Sequence, residues 1–250
     1  MDYESEWRAL GYPRGMGSSK FLPPPPKDVV RAYHLTTSDH AISNVSLNRL
    51  KVTRFSEAND PFELEALNCH KREIRQLVRA FKNTHDNKMG LLCFSANWTN
   101  PLLWSHYAGN HTGICLGFGL PRRDAECVVY KRKRPRLEHG PGTPSISAEI
   151  EFLLLRTKFI GWKYEQECRK FVDLSRAIQE KNLYFWPFGV DLSLREVILG
   201  ERNNLSLDAV RKMVAITNPN CVVFKTRLER RDFRIVGDGD YPPHVPIAAA

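Results

Sequence analysis

"MGLLCFSANWTNPLLWSHYAGNHTGICLGFGL", residues 89–120, sets two apolar runs on either side of a polar and aromatic stretch. MGLLCFSA is a short apolar run of strand length, and ICLGFGL at 114–120 is another. Between them, NPLLWSHYAGNHTG reads as a short helix that Gly113 helps to end. Upstream, VVRAYHLTT is dense in β-branched and aromatic residues and reads as a strand. Thr37 or Ser38 then caps a helix through SDHAISNVSLN, and RLKVTRF is a second short strand. SEANDPFE is a turn-rich loop in which Pro61 forbids a regular ladder. Over residues 63–83, Leu67, Ile74, Leu77, Val78 and Phe81 recur at helical spacing, which predicts a helix packed on a sheet.

Downstream, residues 131–149 are rich in Pro, Gly, Ser and basic residues and are expected to form a surface insertion. FLLLRTKFIGW, YEQECRKFV, REVILG and CVVFKTR read as strands around a helix from about Ser206 to Ala215, and DFRIV closes the pattern. Residues 1–27 and 241–250 read as tails, the first through GYPRGMGSSKFLPPPP. Strands of mixed order with helices at intervals predict one α+β domain over 28–240.

The 250 residues suffice for one sizeable core. No apolar run approaches the roughly 18 residues of a membrane span, and MDYESEWRAL lacks the apolar core of a signal peptide. The expectation is a soluble, cytoplasmic protein with no membrane partner. The six cysteines are scattered with no CxxC pair, which argues against structural zinc and for reduced thiols. The formal net charge of +9 favours polyanions. It is partly clustered in YKRKRPR at 130–136, either a solvated loop or a phosphate-contacting one.

WKYEQECR, residues 162–169, raises the question of chemistry. In an extended chain Glu165, Glu167 and Arg169 point to one face, as a solvated strand face or as a working site. Two further stretches place polar residues beside apolar strands. YHLTT holds His34 and Thr36 on one strand face, and the stretch from Phe94 to Gly113 holds Ser95, Trp98, Trp104, His106, Tyr107 and His111.

Taken in order, YHLTT, NDPFE, CFSANWTNPLLWSHYAGNHTGICLGF and WKYEQECR followed by VILG resemble the bacterial DUF2971 family over about residues 31–236. His-x-Thr, then Phe-Ser before a helix ending in Tyr, then Glu-x-Glu, is also similar to the ADP-ribosyltransferase pattern. That similarity implies a mixed, mostly antiparallel β-core flanked by helices, with NAD as substrate. It implies that His34 holds the NAD ribose, Tyr107 stacks on nicotinamide, and Glu167 binds the nicotinamide ribose as the ring leaves. Phe94, Ser95 and Thr36 would join the cofactor-binding set. Glu165 shares the catalytic set with Glu167, and the two are not distinguished at this level.

The residue types suit that chemistry in their own right. Loss of neutral nicotinamide leaves positive charge on the ribose, which a fixed carboxylate stabilises. An aromatic face stacks on a flat cationic ring, and a neutral histidine both donates and accepts toward hydroxyls. Arg31, Arg54 and Arg169 are candidate partners for the pyrophosphate. Two alternatives stand beside this reading. One is a nucleic-acid-binding or nuclease-like module using KRKRPR, with Asp60 and Glu63 joining Glu165 and Glu167 at a metal. The other is a pseudoenzyme that keeps the fold as a binding surface. Under transfer, the acceptor is a nucleic acid, a protein or water.

Overall fold

The computed structural model describes residues 21–136 and 145–240. It is a mixed α+β fold built on one large, mostly antiparallel sheet. The strands are β1 (Val29–Thr36), β2 (Arg49–Val52), β3 (Met89–Ser95), β4 (Ile114–Pro121), β5 (Glu126–Cys127), β6 (Val129–Lys131) and β7 (Thr157–Phe159). They continue with β8 (Glu167–Asp173), β9 (Ile178–Glu180), β10 (Leu183–Pro187), β11 (Ser193–Leu199), β12 (Val222–Leu228) and β13 (Ile235–Gly237). The helices among the described residues are α1 (Ser38–Ser46), α2 (Arg72–Lys88), α3 (Pro101–Tyr107), α4 (Ala148–Arg156) and α5 (Leu207–Thr217).

The main sheet runs β13-β12-β11-β4-β1-β3-β8-β5, and only β11 and β12 pair in parallel within it. Two small sheets, β2-β10-β9 and the parallel pair β6-β7, stand beside it. Successive strand residues alternate faces, so the sheet has two cores. On one face Ala32, Phe94, Leu116, Cys168 and Val223 belong to a single apolar layer, covered by Ala41 and Val45 of α1 and Val210 and Val214 of α5. On the other face the apolar layer is divided. Tyr33, Cys115 and Phe224 pack with Leu103 and Trp104 of α3, while Leu91 packs separately with Val78 of α2 and Leu154 of α4. The division falls between β1 and β3.

The strand–helix–strand reading of 89–120 holds, with one change. Gly109, at φ 52°, follows the helix's last turn and ends it, rather than Gly113. Gly113 serves a close approach instead: a Cβ there would lie 2.3 Å from the Thr36 carbonyl oxygen.

Several expectations shift. The helix read over 63–83 begins at Arg72, because Asn68 Oδ1 accepts from His70 N and its own N–H donates to Pro135 O, holding the preceding segment in turns. FLLLRTKFIGW is helix first and strand after: the Ser147 hydroxyl caps α4, and Glu149 and Glu151 fill its first turn. The expected insertion over 131–149 therefore has β6 at its start and α4 at its end, while 137–144 lie outside the described residues. Residues 1–20 and 241–250 of the expected tails also lie outside them. Phe21 packs on Phe224 at 4.7 Å, so this end of the expected tail is fastened to the core. Among the described residues no helix is long and apolar enough to cross a membrane.

Candidate functional site

Strand β1 is fully laddered to β4 but meets β3 through the single registered pair Tyr33↔Ser95. Where the two strands part, a cavity of about 250 Å³ opens. Its lining includes His34, Phe94, Ser95, Tyr107, Glu165 and Glu167, drawn from all three stretches that the sequence singled out. Thr36 and Arg31 are not in the lining. Thr36 is buried at the end of β1. Arg31 is buried with its Nε 3.8 Å from Glu196 Oε2, in a polar pocket shared with the Tyr33 hydroxyl.

Histidine 34 is held by the parted ladder. Its Nδ1–H donates to the Cys93 carbonyl at 3.1 Å, since a carbonyl can only accept. That bond fixes Nε2 as the acceptor nitrogen of a neutral ring. Burial lowers the imidazole's pKa and outweighs the raising effect of the Cys93 carbonyl, so the neutral form prevails at pH 7.

The acidic stretch is not a continuous strand. Ile160–Glu165 is a 3₁₀ turn, Gln166 is left-handed at φ 45°, and β8 starts at Glu167. Glu165 and Glu167 are 5 % and 4 % exposed, which rules out a solvated strand face. Their carboxylates are brought together by Lys158 of β7. Its Nζ lies 2.5 Å from Glu165 Oε2 and 2.8 Å from Glu167 Oε2. Arg169, on the same strand face as Glu167, donates from Nε to Glu167 Oε1 at 2.7 Å. Its two terminal nitrogens reach Glu63 at 2.7 and 2.8 Å. Three carboxylates thus share two cations in a buried cluster.

The two glutamates differ within it. Burial alone would raise Glu167, but Arg169 and Lys158 outweigh it and bring its carboxyl down to about 2. For Glu165 burial prevails over Lys158, with Glu167 adding to it, and its pKa is raised. Glu165 also accepts a hydrogen bond from the Tyr107 hydroxyl, which in turn accepts from Asn59 Nδ2 at 2.6 Å. Burial, then the neighbouring Glu165, pushes Tyr107 far above the usual phenol range. Tyr107 therefore remains a donor at any physiological pH.

Ser95 clips the site's frame: its hydroxyl lies 2.6 Å from the Glu165 carbonyl and 2.9 Å from that of Asn97. Tyr130 of β6 accepts from the Glu167 backbone N–H at 2.8 Å. The remaining polar residues of the middle stretch serve structure. Trp104 Nε1 donates to Trp98 O at 2.6 Å in the core, His111 pairs with Ser105, and His106 with Tyr164. Asp60 accepts from Phe62 N in a turn.

The arginines proposed for a pyrophosphate are engaged elsewhere. Arg54 pairs with Asp86 at 2.7 Å, Arg169 lies within the carboxylate cluster, and Arg31 is buried beside Glu196. Sequence reasoning missed Lys158, Tyr130 and Asn59. Asn59 and Glu63 are the two ends of the NDPFE stretch, but nothing in the sequence marks Lys158. All six cysteines are free thiols, and among the described residues no group of three or more His, Cys, Asp or Glu is placed to hold a metal. Compared with protein-family models, with curated proteins and with solved structures, the chain gave no match.

Proposed function

We propose that the cleft between β1 and β3 takes the nicotinamide-ribose end of NAD, cleaves its N-glycosidic bond, and passes ADP-ribose to a macromolecule or to water. One observation carries this reading: His34, Tyr107 and the Glu165–Glu167 pair, from three stretches far apart in sequence, line one cavity. Its volume of about 250 Å³ suits one ring and one sugar, not a whole dinucleotide, so the adenosine end extends outside. The resemblance to the DUF2971 family and to ADP-ribosyltransferases belongs to this reading, and the opened, mostly antiparallel sheet supports it.

The roles follow from the electrostatics. As the C1′–N bond breaks, its electron pair leaves on neutral nicotinamide and C1′ becomes positive. Glu167, held ionised by Arg169 and Lys158, is the fixed negative charge beside that carbon. The Tyr107 ring provides the stacking face, and its hydroxyl orients Glu165. His34 Nε2 accepts from a ribose hydroxyl. The incoming nucleophile bonds to C1′ and gives up its proton to Glu165, whose raised pKa makes it the better base of the pair.

A metal-dependent nuclease fits the same cluster less well. Such a site presents its carboxylate oxygens to cations from solution, whereas Lys158 and Arg169 already hold those of Glu63, Glu165 and Glu167. The deciding experiment is incubation of the purified protein with NAD, reading nicotinamide release and the thermal melt in parallel. The reading expects both release and a raised melting temperature. A raised melt without release indicates a binding pseudoenzyme, and neither effect would rule NAD out.

A further inference from the structure

The basic stretch that the cleft does not use lies against it. Two more cavities flank residues 131–136. One, of about 870 Å³, is lined by Arg75, Arg79 and Arg136 together with Lys133 and Arg134. The other, of about 250 Å³, shares Lys133 and Arg134 and adds Lys131, Arg132, Phe62 and Phe159. Lys158 lines this second cavity and also the cleft, so the basic surface and the carboxylate cluster share one wall. Among the described residues the acidic one in the two basic linings is Glu65, and Lys82 lies 3.5 Å from it.

The surface also presents flat apolar rings. Phe62 and Phe159 are 47 % and 50 % exposed, at the edge of the most basic segment in the chain. The Arg134 guanidinium lies 4.4 Å from the centre of the Phe62 ring. Phe159 rests over Gly161, where an added Cβ would stand 2.6 Å from the ring, so the glycine lets the ring settle there. Positive charge alone attracts any polyanion. Exposed rings interleaved with it offer stacking faces, which unpaired bases can use and the bases of a duplex cannot.

We propose that this surface docks a single-stranded nucleic acid and presents it to the cleft as the acceptor of ADP-ribose. The transfer step rests on the NAD reading above; the docking does not. A lone pair on a base or sugar hydroxyl of the docked strand forms the new bond to C1′, nicotinamide leaves with the electrons of the broken bond, and the nucleophile's proton passes to Glu165.

The probe is a fluorescein-labelled, mixed-sequence single strand of about 20 nucleotides, long enough to cover a groove of this kind. Its anisotropy is titrated with the full chain between about 50 and 200 mM salt. Wild-type protein should bind, with affinity falling steeply as salt rises. The double variant Arg132→Glu and Arg134→Glu, both at exposed positions, should bind at least tenfold more weakly. Its log–log salt slope should be shallower by about 1.4, from about 0.7 for each of two phosphate contacts. Phe159→Ala should weaken binding about fivefold or more with the slope unchanged. Thermal melts check folding of each variant.

Absence of wild-type binding, or an unchanged slope in the double variant, overturns the proposal. So does competition by polyglutamate as effective as that of unlabelled oligonucleotide, which would point to an acidic protein partner. Wild-type nicotinamide release, measured without oligonucleotide, reads the cleft by itself. Release without oligonucleotide binding sinks the docking surface and leaves the NAD reading standing. Binding with no release of nicotinamide, whether the oligonucleotide is absent or present, supports the docking surface and sinks the NAD reading.

Discussion

Strand β1 has two neighbours and treats them differently. Against β4 the register runs unbroken from Val29↔Pro121 to Thr36↔Ile114, and the side chains flanking that seam are mostly apolar. Against β3 there is one registered pair, and the gap beyond it is lined by His34, Lys158 and the glutamates Glu63, Glu165 and Glu167, two of which Arg169 also pairs. Backbone groups that leave a ladder must find other partners, and the Cys93 carbonyl finds His34. The closed seam stores stability in packing that is indifferent to pH. The open seam exchanges that packing for a buried ion cluster, and its stability depends on charge.

The largest expected effect breaks the open seam. Arg169→Met removes a cation at 1 % exposure and leaves Glu63 and Glu167 facing each other through a shared gap. Unfolding in urea at pH 7 should show a loss of about 3–5 kcal/mol, the cost of an uncompensated buried charge. The loss should shrink as pH falls and those carboxylates take up protons. Leu116→Ala on the closed seam should cost about 3 kcal/mol through a cavity in the apolar layer. In contrast to Arg169→Met, its cost should stay constant with pH.

Acid should then sharpen the difference between the two glutamates. Glu167 titrates near 2 when folded against 4.5 as its ordinary value, so its contribution is complete above 4.5 and is lost as pH falls toward 2. Glu165 is raised, so its ionisation opposes folding at neutral pH, and that cost disappears on mild acidification. Melting temperatures should therefore hold or rise slightly from neutral pH toward about 5, then fall below about 4.5. Glu167→Gln should lose its share of that acid-side fall. The smallest effect is expected of Ser95→Ala, which removes the hydroxyl clip to the Glu165 carbonyl and should cost about 1 kcal/mol. A greater proportional loss of NAD turnover than of stability in Ser95→Ala would show that the clip positions Glu165.

The closed seam was the more legible of the two. VVRAYHLTT, dense in β-branched and aromatic residues, and ICLGFGL, an apolar run of strand length, each read as strands, and the ladder between them needs nothing else. His34, Tyr107 and the glutamate pair were legible as an ordered set, because each sits at the end or edge of a strong local element. Lys158 was not. Its meeting with both glutamates depends on a 3₁₀ turn and a left-handed Gln166 that fold residues 158–167 back on themselves, and YEQECRKFV reads as plain strand. The Glu63–Arg169 pair joins residues 106 apart, beyond any local pattern. The FLLLR run is helix rather than strand, which its sequence does not decide because a short apolar stretch suits both, and the Ser147 cap that settles it lies among Pro, Gly and Ser residues.

In the proposed reaction the charge on Glu167 faces the ribose carbon that nicotinamide leaves. Glu167→Gln tests it most directly. Lys158 keeps Glu165 and Arg169 keeps Glu63 as partners, so neither cation is stranded and the variant should remain folded. Nicotinamide release from NAD should fall about 10²-fold or more, the scale of losing one fixed electrostatic stabiliser. Glu165→Gln should lose less. A folded Glu167→Gln protein that releases nicotinamide at the wild-type rate would show that this charge does not serve the cleavage of NAD.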